Sequence, residues 1–269
     1  MKTESNSTND SSHAPNKNLA QTILRAFQVL DAFEAGRTDL SLKDITALAD
    51  LNKTVVARIL NTLVHLDLVS KSESARTYRL GPRLFEYGSR FISQLDLRKL
   101  ALPYMTDIMI KTMDTVYLMI RSNDEALMVE RVKGGKLGSL VGTPIGGRLP
   151  LHVGAAPMMI LVGMSDSEIS EWAVRTGLPR LGEHTVQDVG TLLKQVKKIR
   201  QDEYHIARED PTPGVVSVGA PVYDHKASII AGLSVGLLSP RFEKCNQAMY
   251  IELITEAAQK LSRDMGYSG

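Results

Sequence analysis

Lys53, Thr54 and Arg58 lie in the first two turns of a stretch whose other side is apolar. An ammonium, a hydroxyl and a guanidinium so placed suit hydrogen bonding to phosphates and base edges. Far downstream, Gly232-Leu233-Ser234-Val235-Gly236 matches G-x-S-x-G, the run that can present a serine as a nucleophile. Two features oppose that chemistry. Leu237-Leu238-Ser239-Pro240 reads as extended chain and turn, whereas a nucleophile elbow needs a helix directly after its serine. The order serine, acid, histidine also fails, since the last histidine, His225, precedes Ser234; other orders using His152 or His205 stay open. The six histidines show no H-x-x-x-H or H-E-x-x-H spacing, and Cys245 is the single cysteine, so neither a metal nor a cofactor is expected. His152 is read as ordering its own loop.

The elements that position the basic residues are legible. Ser41 can cap a helix, with Asp44 three residues on as its reciprocal carboxylate, and Leu42, Ile45, Leu48 and Ala49 follow at helical spacing. Asn52 caps a second helix, with Val55, Ile59, Leu60, Leu63 and Leu66 expected inside and Lys53, Thr54, Ala57, Arg58 and Asn61 outside. Strands over 68–71 and 76–80, joined by a polar connection, make a hairpin carrying Lys71 and Arg76. Before this module, a helix over 19–35 places Ile23, Ala26, Phe27, Leu30 and Phe33 on one face, with Gly36 as its terminator. This order, helix-turn-helix then hairpin wing, is that of a major-groove reader. Between 52 and 83 six cations face only Asp67 and Glu73, although the whole chain carries a net charge of just +2. The lesser alternative for Arg58 is a surface ion pair with Asp67, and Thr54 has a competing role in the first helical turn.

The remaining 190 or so residues, within 269 in all and with 43% hydrophobic content, leave room for a second domain. Helices are expected over 82–93 and through Leu97 to Met109. Strands follow over 116–121, 127–132 and 137–141, then helices over 155–162, 165–175 and 186–203. Two strands, 215–223 and 228–237, and a helix from Pro240 to about 265 finish the chain. Strands in hairpins with helices between them imply an α+β domain. Residues 1–18, polar and without an apolar core segment, are read as a disordered tail and not a signal peptide; no apolar run spans a bilayer, so a cytoplasmic protein without membrane contact is expected.

Five stretches in order resemble the IclR-type bacterial transcriptional regulators. They are Asn52-Lys53-Thr54-Val55-Val56-Ala57-Arg58-Ile59-Leu60, Tyr78-Arg79-Leu80-Gly81, Arg148-Leu149-Pro150-Leu151-His152, the run from Gly214 to Asp224, and Ala231-Gly232-Leu233-Ser234-Val235. The resemblance covers the chain from about Leu19 onward. It implies a winged helix-turn-helix over 19–81, a linker helix over 82–100 and a GAF-like effector-binding domain over 101–269. It further implies a homodimer, often paired into a homotetramer, that binds a double-stranded DNA operator and acts as a regulator, more often a repressor. It makes the chain no enzyme.

By the same resemblance Asn52, Lys53, Thr54, Arg58, Lys71 and Arg76 are the DNA-binding residues. The effector, a small organic or aromatic acid, would sit among Val141, Leu149, Ala155, Ala156, Ala207, Val215, Ser217, Ser234 and Gly236. In that cup Ala155 and Ala156 offer backbone N–H groups, Ser217 and Ser234 offer hydroxyls, and Val141, Leu149 and Val215 form the apolar wall. Either serine would equally satisfy local backbone. Three positions depart from the family: Pro157-Met158 replaces Gly-Lys, Ala207 replaces an acid and Ser217 replaces a cysteine. These changes point to a ligand larger or less polar than glyoxylate or pyruvate.

Overall fold

The computed structural model describes residues 19–33, 39–72, 74–93, 96–135, 143–244 and 247–269. It divides into two compact units, Met1–Phe91 and Ile92–Gly269. The expected tail 1–18, the terminator Gly36, the strand 137–141 and Val141 all lie outside the described residues.

The first unit runs α1 (Gln21–Asp31), β1 (Leu40–Ser41), α2 (Leu42–Leu48), α3 (Lys53–His65), β2 (Val69–Ser72) and β3 (Thr77–Leu80), with α4 (Pro82–Ser93) following. Ser41 and Asp44 form a reciprocal capping box: Asp44 N–H donates to Ser41 Oγ at 3.3 Å and Ser41 N–H donates to Asp44 Oδ2 at 3.1 Å. Asn52 Oδ1 accepts from Thr54 N–H at 2.9 Å and starts α3. The wing gains a strand that periodicity could not show, because β1 is only two residues long; it pairs antiparallel with β3, giving the order β1-β3-β2.

Two expected faces are rotated. In α3 the buried stripe is Val56, Ile59, Leu60 and Leu63, while Val55 is half-buried and Leu66, at the C-cap, is exposed. Positions i, i+3, i+4 and i+7 counted from Val56 fit one side of a 3.6-residue helix better than a stripe begun at Val55. In α1 the buried residues are Val29 and, just beyond it, Ala32, whereas Ile23 and Phe27 are each 59% exposed. Of the expected face, Ala26, Leu30 and Phe33 do pack against the core beside Val29 and Ala32, as the helix meets α2 and α3.

The second unit runs α5 (Asp96–Thr112), β4 (Thr115–Ser122), β5 (Glu125–Val132), β6 (Arg148–Pro150), α6 (Ala155–Leu161), α7 (Asp166–Thr176), α8 (Val189–Asp202), β7 (His205–Arg208), β8 (Val215–Tyr223), β9 (Ile229–Leu238), α9 (Ser239–Lys244) and α10 (Gln247–Asp264). Strands β6 and β7 have no counterpart among the expected elements. Both are short edge strands, three and four residues long, below the length at which alternation declares itself. The helix expected from Pro240 onward proves to be two, α9 and α10.

The sheet order is β6-β5-β4-β9-β8-β7, antiparallel at every described pairing. Helices α5 and α10 cover one face, where Leu118 of β4 is buried together with Val218, Val235, Tyr250 and Ile254. Helices α6, α7 and α8 build a second core around Met159, Leu161, Trp172 and Val196. No helix among the described residues is long and apolar enough to cross a membrane.

Candidate DNA interface and effector cavity

On α3 the buried stripe fixes what is presented outward. Lys53, Thr54 and Asn61 are exposed, as is the cap residue Asn52, and Arg58 lies beside them on the flank of the helix away from Leu60. Arg58 forms no ion pair with Asp67 or any other carboxylate among the described residues, so the competing surface-pair reading is not what the structure contains. Asn52 uses its side-chain oxygen for the cap, which leaves its amide NH2 free of that role. Lys71 and Arg76 are exposed on the wing; Arg76 occupies the turn between β2 and β3 with φ +52. Arg83 is committed elsewhere, donating to Leu66 O at 3.2 Å with its guanidinium over the Tyr87 ring. The cations of the module therefore divide between an outward set and an internal brace.

In the second unit a cavity of about 170 Å³ lies between the sheet, the start of α6 and the segment 210–212. Alternation along each strand decides which residues reach it. Tyr117 and Met119 come from β4, Met128 from β5, Val215 and Ser217 from β8, and Ser234 and Gly236 from β9. Leu149 on β6 and Gly154, Ala155, Ala156 and Pro157 close another side. Seven of the nine residues named from the sequence thus come together. Val141 is outside the described residues. Ala207 does not line the cavity: on the edge strand β7 it sits directly across from Ser217, buried one strand beyond the cavity wall.

Several lining residues escape the sequence reading. Tyr117, Met119 and Met128 carry a usable signal, since they alternate on strands that the sequence does show. Asp210, Pro211, Thr212 and Thr143 belong to irregular segments with no periodic signal.

Hydrogen bonds organise the cavity's rim. Asp210 accepts from Gly154 N–H at 3.0 Å and from the Thr185 hydroxyl at 2.5 Å, tying the segment 210–212 to the start of α6. Ser217 Oγ accepts from Ala155 N–H at 3.3 Å, so this serine satisfies local backbone. Ser234 is 3% exposed and its hydroxyl makes no hydrogen bond among the described residues. His152 pairs through Nε2 with Pro179 O at 3.2 Å and packs against Trp172, ordering its loop; burial holds its pKa below the usual imidazole range. Burial likewise raises the Tyr117 phenol.

The G-x-S-x-G run now has a packing explanation. Positions 232, 234 and 236 point the same way from β9. A Cβ on Gly232 would lie 2.0 Å from Ala156 O, and one on Gly236 would lie 3.1 Å from the Tyr117 ring. The glycines let α6 and a tyrosine lie against the strand, and Ser234 sits within extended β9, on no elbow.

The family described as the IclR helix-turn-helix domain matches residues 22–73, and the family described as bacterial transcriptional regulator IclR C-terminal matches 89–263. The HTH-type transcriptional regulator KipR of Bacillus subtilis is 29% identical over 94% of this chain and 100% of its own. The HTH-type transcriptional repressor AllR of Escherichia coli strain K12 is 26% identical over 92% of this chain and 91% of its own. An IclR homologue from Microbacterium hydrocarbonoxydans, solved with 4-hydroxybenzoate, superposes with a TM-score of 0.79 at 24% identity, covering 91% of this chain and 98% of that one. With a helix-turn-helix unit, a second α+β unit built on a six-stranded sheet and matches to both halves, the chain belongs to the IclR family of DNA-binding transcriptional regulators and is not an enzyme.

Proposed function

We propose that this protein is a repressor that binds an operator through α3 and the β2–β3 wing, and that a small organic or aromatic acid in the cavity of the second unit alters that binding. The observation that carries the reading is the outward N-terminal half of α3, where Lys53, Thr54 and Arg58 stand over a buried stripe. Lys53 and Thr54 at the helix start suit phosphate, and Arg58 one turn on suits a bidentate contact to guanine. Lys71 and Arg76 hold backbone or minor groove from the wing. One such module covers a half-site, so two copies of the chain serve a roughly palindromic operator, their centres about one helical turn or a multiple apart. The working boundaries are 19–81 for the reader, 82–100 for the linker and 101–269 for the effector-binding domain. The AllR name supports repression, and the 4-hydroxybenzoate complex of a structural relative supports an acid as effector.

The test is a footprint on the protein's own promoter region with Arg58→Ala. Loss of one bidentate base contact removes about 1–3 kcal/mol of discrimination. Operator preference should fall accordingly, while weak binding that declines steeply with salt persists. A variant that protects the operator normally at moderate salt would show that Arg58 reads no base.

A further inference from the structure

Arg131 is a half-buried arginine of the second unit that pairs with no carboxylate among the described residues. Other arginines of the same unit are matched: Arg98 pairs with Glu130 at 2.7 Å, Arg200 with Asp166 at 2.6 Å and Arg241 with Asp114 at 2.9 Å. The Nη1 of Arg131 donates to Thr143 O at 3.4 Å, and its Nε is buried with no acceptor among the described residues. A half-buried guanidinium with donors to spare can meet an anion at low desolvation cost.

Its position says where that anion would be. Arg131 on β5 lies directly across from Tyr117 on β4, and Tyr117 lies directly across from Ser234 on β9. Directly opposed residues share a face of the sheet. Tyr117, Ser234 and Thr143 all line the cavity, whereas Arg131 lies outside its lining and reaches the edge through its hydrogen bond to Thr143 O. Arg131, Tyr117 and Ser234 therefore stand in one row across three adjacent strands, about 10 Å from end to end of the backbone. Asp210, also on the cavity wall, forms no ion pair with Arg131 among the described residues; its oxygens accept from Gly154 and Thr185.

We propose that Arg131 supplies the counter-charge for the effector and sets its class: a flat carboxylate lying along Tyr117, its anionic end at Arg131 and a polar group at the Ser234 end. This rests on reading the cavity as the effector site. The test titrates the full chain with benzoate, 4-hydroxybenzoate and 3,4-dihydroxybenzoate and with the primary amide of each, by calorimetry and thermal shift. Wild type should bind at least one acid well ahead of its amide. Arg131→Gln should weaken that acid by about 10- to 100-fold, as expected for a lost hydrogen bond to a charged group, and leave acid and amide alike. Arg131→Lys should restore part of the preference, and equal melting temperatures of the unliganded proteins show that folding is intact. Unchanged acid affinity in Arg131→Gln, or amides binding wild type as well as acids, overturns the assignment. If amides alone bind, and Ser234→Leu abolishes their binding, the cavity stands as a ligand site and Arg131 falls. If no probe binds, the assignment falls together with the aromatic-acid reading of the cavity.

Discussion

Among single residues, His205 shows how a side chain outside the cavity still reports on the fold. Burial pushes its pKa from 6.5 down to about 4, against a partly restoring attraction from Asp210 and with a repulsion from Lys198. The folded state therefore holds this imidazole neutral while the unfolded chain takes up a proton below 6.5. Stability from His205 is complete above that value and is lost as pH falls toward 4, by up to roughly 3 kcal/mol. Melting curves from pH 7.5 to 4.5 should show a smaller loss for His205→Gln than for wild type; parallel curves would exclude His205 as a source of acid sensitivity. The residue types themselves are legible. Arg58 and Ser234 stand out in the sequence, but the commitment of Ser217 to Ala155 N–H and the surroundings of Arg131 depend on neighbours 62 and 12 positions away. No local pattern carries such pairings.

For elements, legibility follows length and period. Helices α2 and α3 announce themselves through caps and stripes, and β4, β5, β8 and β9 through apolar runs with turn residues between them. The edge strands β6 and β7 and the two-residue β1 are made by pairing, not by propensity, and so stay hidden. The orientation of α1 depends on which neighbours its two apolar sides meet. The contact of α6 with β9 is close enough that Gly232 lies directly under Ala156 O. Gly232→Val should push helix and strand apart and cost about 1–3 kcal/mol or more. At about 2–4 °C per kcal/mol for a domain of this size, calorimetry would resolve it. A melting temperature equal to wild type would mean that the strand yields freely.

At the level of the whole chain, each unit carries buried clusters of its own among the described residues. One cluster draws on residues from Val29 to Tyr78, and the two others on residues from Leu97 onward. A fragment of residues 96–269 should then melt cooperatively, retain the response to carboxylate probes and bind no operator. Its failure to fold would show that the second unit draws stability from the first. The division into a DNA reader and an α+β domain is readable from the order of elements. The cavity is not, because it arises where β4, β5, β8 and β9 face the start of α6.

Every one of the seven residues of α6 is buried, Pro157 and Met158 included. Such a segment is a keel rather than a hinge: it has no wet side into which it could roll. A bulkier side chain anywhere along it must displace its surroundings, the Trp172 layer on one side or the Gly232 strand on the other.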